Sequence, residues 1–351
     1  MHFASDNWAG AHPKIMQAMT SANDGYWPAY GNSDRDERLD ARFADVFETE
    51  VAVFLVSTGT AANALALSAM ARPGDVAFCH TEAHIRVDEC GAPHFLAPGL
   101  QMMPVTGSFG KIDEAQLGRA VETVAGGGLN AGRVGMLSLT QATECGTLYA
   151  PDEIEALVKT IRSNRSDAPV HMDGARFANA LAATGATPAE VTWKRGIDIL
   201  CLGGTKNGCW CAEAILVFRP DLVDDMIYLR KRAGHLLSKM RFMTAQFEAY
   251  LDEGLWLELA TKANDQAAKL EAAITTSNSV RLAWTREVNE VFGIVERNRF
   301  AQWQAQGLKA YDWQPPTAER ELLDENETMF RLVTCYATSD NEVEAFERLL
   351  R

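Results

Sequence analysis

The sequence predicts an α/β protein with a largely parallel sheet covered by helices, followed by a smaller α+β domain. Two observations predict this class. Up to about Asp221, short apolar runs of strand length alternate with helical stretches, a pattern typical of parallel strands joined by helices. Beyond that point the alternation stops, and one long helical stretch precedes several short apolar segments.

The individual elements follow from their apolar patterns. In the larger domain we predict strands at 51–57, 77–80, 102–105, 134–140, 170–173 and 197–203, with helices at 61–71, 113–125 and 151–162. In the smaller domain we predict a helix over 244–274, short segments at 291–295, 309–313 and 329–336, and a closing helix over 341–350. The predicted domains are therefore residues 1–245 and 246–351.

Charge and composition exclude several classes of function. A net charge of −14 argues against a general binder of nucleic acid or of anionic membranes. No apolar run is long enough to cross a bilayer, and the first residues lack the pattern of a secretory signal. The seven cysteines are scattered, and Cys209 and Cys211 have no second pair nearby to complete a metal site. We expect a cytoplasmic protein without a bound metal.

Two short motifs point to pyridoxal phosphate (PLP) chemistry. Asp173 ends a predicted strand in His171-Met172-Asp173-Gly174-Ala175-Arg176, and Lys206 follows the next strand in Gly203-Gly204-Thr205-Lys206-Asn207-Gly208. A PLP enzyme needs a lysine that holds the cofactor as a Schiff base and a carboxylate that keeps the pyridine nitrogen protonated. Ligands of open α/β sheets bind at such strand ends. Taken alone, either residue also fits a solvated or ion-paired surface position.

A third motif, Ser57-Thr58-Gly59-Thr60-Ala61-Ala62-Asn63, lies between a predicted strand and a helix. The free N–H groups of such a junction suit a phosphate, although a helix cap without a ligand is the alternative. No lysine follows as it would in a nucleoside-triphosphate site. The glycine run 126–131 matches the dinucleotide pattern but has a helix before it and a strand after it, the reverse of what a dehydrogenase requires.

Two further side chains are candidates for the site. His84 lies just past a predicted strand, where an imidazole could cover a cofactor ring or exchange protons with substrate; the alternative is a structural histidine. Arg331 lies within an apolar strand, and a buried arginine needs an anionic partner. The α-carboxylate of a substrate would satisfy it.

Seven segments of the chain together match one known family. They are Phe3-Ala4-Ser5-Asp6-Asn7, Tyr30-Gly31, 57–63, Glu82-Ala83-His84-Ile85, 171–176, Gly204-Thr205-Lys206-Asn207-Gly208 and Arg331-Leu332-Val333-Thr334. By these motifs the chain resembles, nearly end to end, the threonine aldolase branch of the β-eliminating lyases, PLP enzymes of the aspartate-aminotransferase fold type. Asp-Gly-Ala-Arg and the N-terminal Ser-Asp pair are the most diagnostic.

The resemblance implies a role for each candidate residue. Lys206 would attach PLP, Asp173 would pair with the pyridine nitrogen, and His84 would stack on the ring and serve as the candidate catalytic base. The phosphate would be bound by Thr58, Gly59 and Thr60, and Arg176 would contact a cofactor oxygen or the substrate carboxylate. The remaining substrate-binding residues would be Ser5, Tyr30 and Arg331. The family forms homotetramers with shared sites, in which Arg230 and Arg232 could reach the phosphate of a neighbouring subunit.

The activity that the resemblance implies is retro-aldol cleavage of a β-hydroxy-α-amino acid, of the threonine, allo-threonine or phenylserine type, to glycine and an aldehyde. The chain departs from the family where Gln141-Ala142-Thr143-Glu144 replaces a second active-site histidine, which leaves the preferred side chain and the stereochemistry at Cβ open. The alternatives are a β-eliminating lyase or aminotransferase of the same fold, and a catalytically silent PLP-fold protein, against which Asp173 and Lys206 count.

Overall fold

The computed structural model describes residues 1–351 and contains two sheets. The strands are β1 (Ala52–Val56), β2 (Asp75–His80), β3 (Gln101–Val105), β4 (Arg133–Thr140), β5 (Val170–Gly174), β6 (Ile199–Gly203), β7 (Glu213–Val217), β8 (Arg281–Leu282), β9 (Glu290–Glu296), β10 (Tyr311–Trp313) and β11 (Glu327–Val333). The helices are α1 (Pro13–Ala22), α2 (Asp34–Phe47), α3 (Gly59–Met70), α4 (His84–Val87), α5 (Ala92–Leu96), α6 (Glu114–Gly127), α7 (Pro151–Asn164), α8 (Phe177–Thr184), α9 (Val223–Arg232), α10 (Arg241–Leu251), α11 (Leu255–Thr275), α12 (Arg297–Ala305) and α13 (Asp340–Leu350).

The larger sheet has seven strands in the order β1-β7-β6-β5-β4-β2-β3. Strands β2 to β6 pair in parallel, while β7 runs antiparallel to both of its neighbours. Strands β5, β6 and β7 are buried along their whole length, because helices and loops cover both faces. The carboxyl ends of the parallel strands therefore meet at one edge, as the predicted fold class requires.

The smaller sheet is antiparallel, in the order β10-β11-β9-β8. Its core is formed mainly by α11, α12, α13 and the sheet, and it also includes Phe3 from the start of the chain. Phe3 donates its N–H to the carbonyl of Lys309 at 2.8 Å and accepts the N–H of Val333 at 2.8 Å. The first residues are thereby fixed beside the small sheet, which positions Ser5 and Asp6. The predicted boundary at residue 245 stays a prediction.

Two features differ from the prediction, besides helices such as α1, α2, α8 and α12, which were not predicted. The prediction of one continuous helix over 244–274 is wrong, because the segment forms two helices: α10 ends at Leu251 and α11 begins at Leu255. Glu253 and Gly254 adopt φ values of 49° and 73°, which a continuous right-handed helix does not allow. Strand β7, which lies between β1 and β6, was not predicted at all. None of the thirteen helices combines the length and the hydrophobicity that a membrane-spanning segment requires.

Candidate active site

One end of the site is the start of α3, a helix of 12 residues. Thr58 caps it, and the Thr58 hydroxyl accepts the N–H of Ala61 at 3.1 Å. The first-turn N–H groups of a helix have no partner within the helix, and here they lie beside Ser57, Thr58, Gly59 and Thr60 in the wall of a cavity. A side chain at Gly59 would meet no atom within 4 Å. This end of the cavity therefore offers both space and donors for an anion.

Asp173 lies at the carboxyl end of β5 and is 4% exposed. Asn63, on α3, donates to one carboxylate oxygen at 2.8 Å, and the N–H of Ala175 donates to the other at 3.0 Å. Two residues earlier on β5, His171 is buried, and its Nδ1 lies 2.9 Å from the hydroxyl of Ser138. Burial lowers the pKa of His171 to about 4. Asp173 is thus held in one orientation by two N–H donors, with a neutral imidazole beneath it.

Lys206 reaches the same cavity from the turn that follows β6. A Cβ on Gly203 would lie 2.5 Å from the carbonyl oxygen of Ala175, and one on Gly204 would lie 2.5 Å from that of Ala212. Only glycine allows this close approach, which brings the turn against the end of β5. Asn207 then fixes the turn through 2.8 Å hydrogen bonds to the Tyr250 hydroxyl and the Trp256 carbonyl.

His84 begins the short helix α4 and lies at the boundary of the cavity. Its Nδ1 is 2.9 Å from a carboxylate oxygen of Glu89, which also accepts an N–H of Asn63 at 2.8 Å. The hydrogen bond with Glu89 raises the pKa of His84 despite partial burial. Donor atoms of His84, Glu89 and Asp173 lie within 4.8 Å of one another, a spacing that could hold a metal ion. The side-chain amide of Asn63 donates to both Glu89 and Asp173, and it thereby links the two carboxylates without a metal ion.

Glu144 follows β4, in the loop where the sequence lacks a second histidine. One carboxylate oxygen accepts the N–H of His84 at 2.7 Å and the hydroxyl of Thr140 at 3.3 Å. The other oxygen, Oε2, is buried and has no hydrogen-bond partner. Burial, reinforced by the charge of Asp173, raises the pKa of Glu144 to about 7.

Two arginines lie on the side of the site that faces the small domain. Arg176 makes a two-point pair with Asp6, at 2.8 and 3.1 Å, and a third contact with Glu290 at 3.4 Å. Arg331, on β11, donates to Glu290 at 3.2 Å and packs 3.9 Å above the ring of Trp313. The Nε of Arg331 is buried and has no partner. The anionic partner expected for Arg331 is thus supplied in part by the chain itself.

These groups surround two adjoining cavities of about 420 and 320 Å³. The larger one contains the helix start, Asp173 and Glu213, and the smaller one contains Ser5, Tyr311, Trp313 and Arg331. Six residues line both cavities: Asn7, His84, Asp88, Glu144, Arg176 and Lys206. Lys206 and Glu144 therefore lie where the two spaces meet.

The structure brings most of the sequence-predicted residues together. The larger cavity is lined by Thr58, Gly59, Thr60, His84, Asp173, Arg176 and Lys206, and the smaller one by Ser5, His84, Arg176, Lys206 and Arg331. The remaining three, Tyr30, Arg230 and Arg232, line neither cavity of this chain. The ring of Tyr30 is exposed and lies 5.0 Å below the Lys231 ammonium. The guanidinium of Arg230 packs 5.2 Å from the ring of Phe54, and Arg232 is exposed.

Sequence reasoning missed four polar residues of the site: Asn63 as a bridge, Glu89, Glu144 and Glu213. Glu213, on the unpredicted strand β7, accepts the N–H of Gly204 at 3.0 Å, and burial raises the pKa of Glu213 to about 7. Asn63 belongs to the predicted 57–63 motif, but no sequence signal indicates its bridging role, and Glu89 carries no signal at all. A sequence signal did exist for Glu144, because this residue occupies the loop from which the expected histidine is missing.

The donor set of the larger cavity fits PLP. The cofactor has a phosphate, an aldehyde and a pyridine nitrogen, and the cavity presents a helix start, the amine of Lys206 and the carboxylate of Asp173 on its walls. Each group has the chemistry that its counterpart requires. The arrangement on a seven-stranded α/β sheet defines a PLP-dependent enzyme of the transferase fold.

Comparisons with known proteins indicate the same class of enzyme. The profile of the family "Beta-eliminating lyase" matches residues 2–313. A low specificity L-threonine aldolase from a Pseudomonas species is 41% identical over 290 residues, 83% of each chain, and one from Pseudomonas aeruginosa is 40% identical over 309 residues, 88% of each chain. A threonine aldolase structure from Leishmania major superposes with a TM-score of 0.91 at 26% identity, covering 99% of this chain and 98% of the other.

The chain therefore belongs to the β-eliminating lyase family, and it is a PLP-dependent lyase.

Proposed function

We propose that the protein cleaves β-hydroxy-α-amino acids to glycine and an aldehyde by a retro-aldol reaction. The observation that carries this proposal is the junction of the two cavities at Lys206. One cavity has the groups that a PLP ring requires, and the other has arginine and serine side chains suited to an amino-acid carboxylate. Relatives at 40–41% identity are named low specificity L-threonine aldolases, which supports the same chemistry here.

The cofactor would be held by residues of the large domain. Lys206 would attach it, Asp173 would face its pyridine nitrogen, and Thr58, Gly59 and Thr60 would bind its phosphate. PLP, when bound, supplies an electron sink for the pair of electrons released when the Cα–Cβ bond breaks. His84, held by Glu89 at 2.9 Å, would cover the ring.

The substrate carboxylate would be bound between Arg331 and Ser5. Arg331 has a buried Nε without a partner, and its guanidinium can present two parallel N–H groups to a carboxylate. Arg176 lines both cavities, but it directs three of its N–H contacts to Asp6 and Glu290. A guanidinium has five N–H groups, so Arg176 can still contact a cofactor oxygen or the substrate carboxylate.

The substrate side chain would lie against the outer wall of the smaller cavity. That wall contains Val87, Tyr311, Trp313 and Pro316. A wall of this kind accepts a methyl group, and its aromatic members offer additional contact to an aryl ring. We therefore propose that L-threonine, L-allo-threonine and L-phenylserine are all substrates.

We further propose a cytoplasmic homotetramer with sites shared between subunits. Free thiols at all seven cysteines support a reducing location. The exposed ring of Tyr30 and the position of Arg230 and Arg232 outside the cavities of their own chain support completion of the site by a neighbour. Sedimentation over a concentration series, with activity measured on the Arg230→Ala/Arg232→Ala double variant, tests this; a fully active monomer at high dilution would contradict it.

Product analysis tests the reaction itself. The purified PLP-loaded protein is incubated separately with L-threonine, L-allo-threonine and L-phenylserine, and the products are quantified. We expect glycine and one equivalent of acetaldehyde or benzaldehyde. Ammonia with a keto acid would instead indicate β-elimination, and transfer of the amino group to an added keto acid would indicate an aminotransferase. Turnover of none of the three substrates would support a catalytically silent protein.

A further inference from the structure

Glu144 has a carboxylate oxygen without a partner at the point where the two cavities meet. It lines both of them, together with Lys206. Its Oε1 is committed to the N–H of His84 and the hydroxyl of Thr140, at 2.7 and 3.3 Å, which fixes the carboxyl group. Its Oε2 is buried without a hydrogen bond. An unsatisfied buried carboxylate oxygen is costly, and a substrate hydroxyl group could supply the hydrogen bond that Oε2 lacks.

Three nearby titratable groups, His84, Lys206 and Asp173, are less suited to accept a proton from substrate. The Nδ1 of His84 is already paired with Glu89, and that bond raises the pKa of His84. A raised pKa keeps the ring protonated up to a higher pH, so His84 is a poorer base near neutrality. Lys206 is reserved for the cofactor, and Asp173 is occupied by two N–H donors.

We propose that Glu144 is the catalytic base for the substrate β-hydroxyl group and the acid that afterwards protonates Cα. This inference rests on the proposed aldol cleavage. The proton of the β-hydroxyl moves to Oε2 of Glu144, and the O–H electron pair becomes the second carbon–oxygen bond of the aldehyde. The Cα–Cβ electron pair remains on Cα. When the aldehyde has left, Glu144 returns the proton to Cα, which forms glycine and restores the carboxylate without net gain or loss of protons.

The surroundings of Glu144 set the direction of its pH dependence. The titratable or charged groups around it are Cys79, Glu82, His84, Asp88, Cys145, Tyr149, Asp173, Arg176, Lys206, Glu290 and Glu319. Burial and the negative charge of Asp173 raise the pKa of Glu144 to about 7. The carboxylate form, which is the base, therefore predominates above that pH. Activity that depends on this base rises as the pH increases through about 7.

The test compares Glu144→Gln with Glu319→Gln. Glutamine keeps an oxygen for the N–H of His84 and the hydroxyl of Thr140 but cannot exchange protons. Glu319 is a matched control because it is 7% exposed, has an unpartnered Oε2, and accepts a backbone N–H from Phe109 at 2.9 Å. Burial also raises the pKa of Glu319, yet it lines neither cavity.

Three quantities are measured: kcat and kcat/KM for L-threonine across pH, the dissociation constant of glycine from visible absorbance, and infrared carboxyl titration of the protein without cofactor. In Glu144→Gln we expect kcat to fall by about 10²–10⁴-fold, the usual contribution of a general base. The rising limb of the pH–rate profile near pH 7 should disappear, while the affinity for glycine should stay within about threefold of the wild-type value. The wild-type-minus-variant infrared spectrum should show a carboxyl group that titrates near pH 7. Glu319→Gln should keep the wild-type kcat and pH profile.

A Glu144→Gln enzyme that keeps its rate within about threefold and retains the same rising limb would overturn the assignment. If that variant does not fold, Glu144→Asp decides the question, because it keeps an ionisable carboxyl set back by one methylene. We expect Glu144→Asp to be slower while retaining a rising limb, and loss of the limb would contradict the proposal. These outcomes are distinct from failure of the aldol reaction, in which the wild-type protein itself would release no glycine and aldehyde.

Discussion

The cofactor half and the substrate half of this site are constructed in different ways. Asp173, Lys206 and Gly59 come from strand ends and the start of one helix within the large sheet. The substrate half joins Asp6, near the start of the chain, to Asn289 and Glu290, about 280 residues later. The topology of the large sheet places the first half. The second half exists only after the N-terminal segment has packed against the small sheet.

The two halves also differ in how their charges are balanced. In the cofactor half, two N–H donors orient the carboxylate of Asp173. In the substrate half, two arginines and two carboxylates, Asp6 and Glu290, form one buried network. Removal of one member of such a network leaves a buried charge without its partner, which costs more than the pair contributes. We therefore expect removal of a charge from the substrate half to lower stability, and substitutions in the cofactor half to lower turnover.

The largest expected effect is on stability, in Asp6→Asn. This change leaves Arg176 with Glu290 alone and should destabilise the fold by about 3–5 kcal/mol at pH 7. Burial is the largest single influence on the pKa of Asp6 and raises it. The charges of Arg176 and Lys206 and the hydrogen bonds from Arg176 and Asn289 together more than offset burial, so the pKa is lowered overall. A lowered pKa contributes stability above the unfolded value of about 4, which is lost as the pH falls further.

Denaturant unfolding at pH 7 and at pH 3 measures this effect. The difference in the free energy of unfolding between the wild-type protein and Asp6→Asn should be smaller at pH 3 than at pH 7. The exposed control Asp24→Asn should have the wild-type free energy of unfolding at both pH values. An equal difference in the free energy of unfolding at the two pH values would mean that loss of the ion pair does not cause the destabilisation.

The next effect is on turnover, in Asp173→Asn. The amide cannot keep the pyridine nitrogen protonated, so kcat should fall by about 10²-fold or more, the scale of a lost electrostatic contact in a closed site. The matched control is Asp198→Asn at the opposite end of the sheet, where Asp198 accepts the N–H of Val170 at 2.8 Å. That variant should lose thermal stability and keep its kcat. Near-normal turnover in Asp173→Asn would mean that the cofactor ring is oriented differently.

The smallest of the three effects is on substrate affinity, in Arg331→Lys. Lysine keeps the charge but loses the planar pair of donors, and a charge-assisted hydrogen bond contributes about 1.5–3 kcal/mol. We expect KM for L-threonine to rise by about 10- to 100-fold, with a smaller change in kcat. Arg281→Lys, on the same small sheet but 46% exposed at its side chain, should leave KM unchanged. An unchanged KM in Arg331→Lys would place the substrate carboxylate elsewhere.

The same division explains what the sequence could predict of the fold. The strands that end at the site were predicted because each is a short apolar run followed by a polar motif, as at Asp173 and Lys206. Strand β7 was missed because Glu213 and the turn before it do not resemble a strand boundary. The break at Glu253–Gly254 was missed because apolar residues continue at helical spacing on both sides of it.

In the site, the predicted residues were those that belong to a motif. Contacts between distant segments have no sequence pattern, so the pairing of Arg176 with Asp6 and Glu290 was not predicted. The role of Glu144 depends on its position between two cavities, which no local pattern encodes. Burial and neighbouring charge, rather than residue type, raise the pKa of Glu144, and both arise only in the folded chain.

The central claim is that Lys206 joins the cofactor to the point where the two halves meet. Borohydride reduction of the PLP-loaded protein, followed by proteolysis and mass spectrometry of the peptides, tests this most directly. We predict a pyridoxyl group on the peptide that contains Lys206 and none in Lys206→Ala, while Lys262→Ala, at an exposed lysine of α11, should be labelled like the wild type. A pyridoxyl group on another lysine of the wild-type protein, or labelling that persists in Lys206→Ala, would contradict the account.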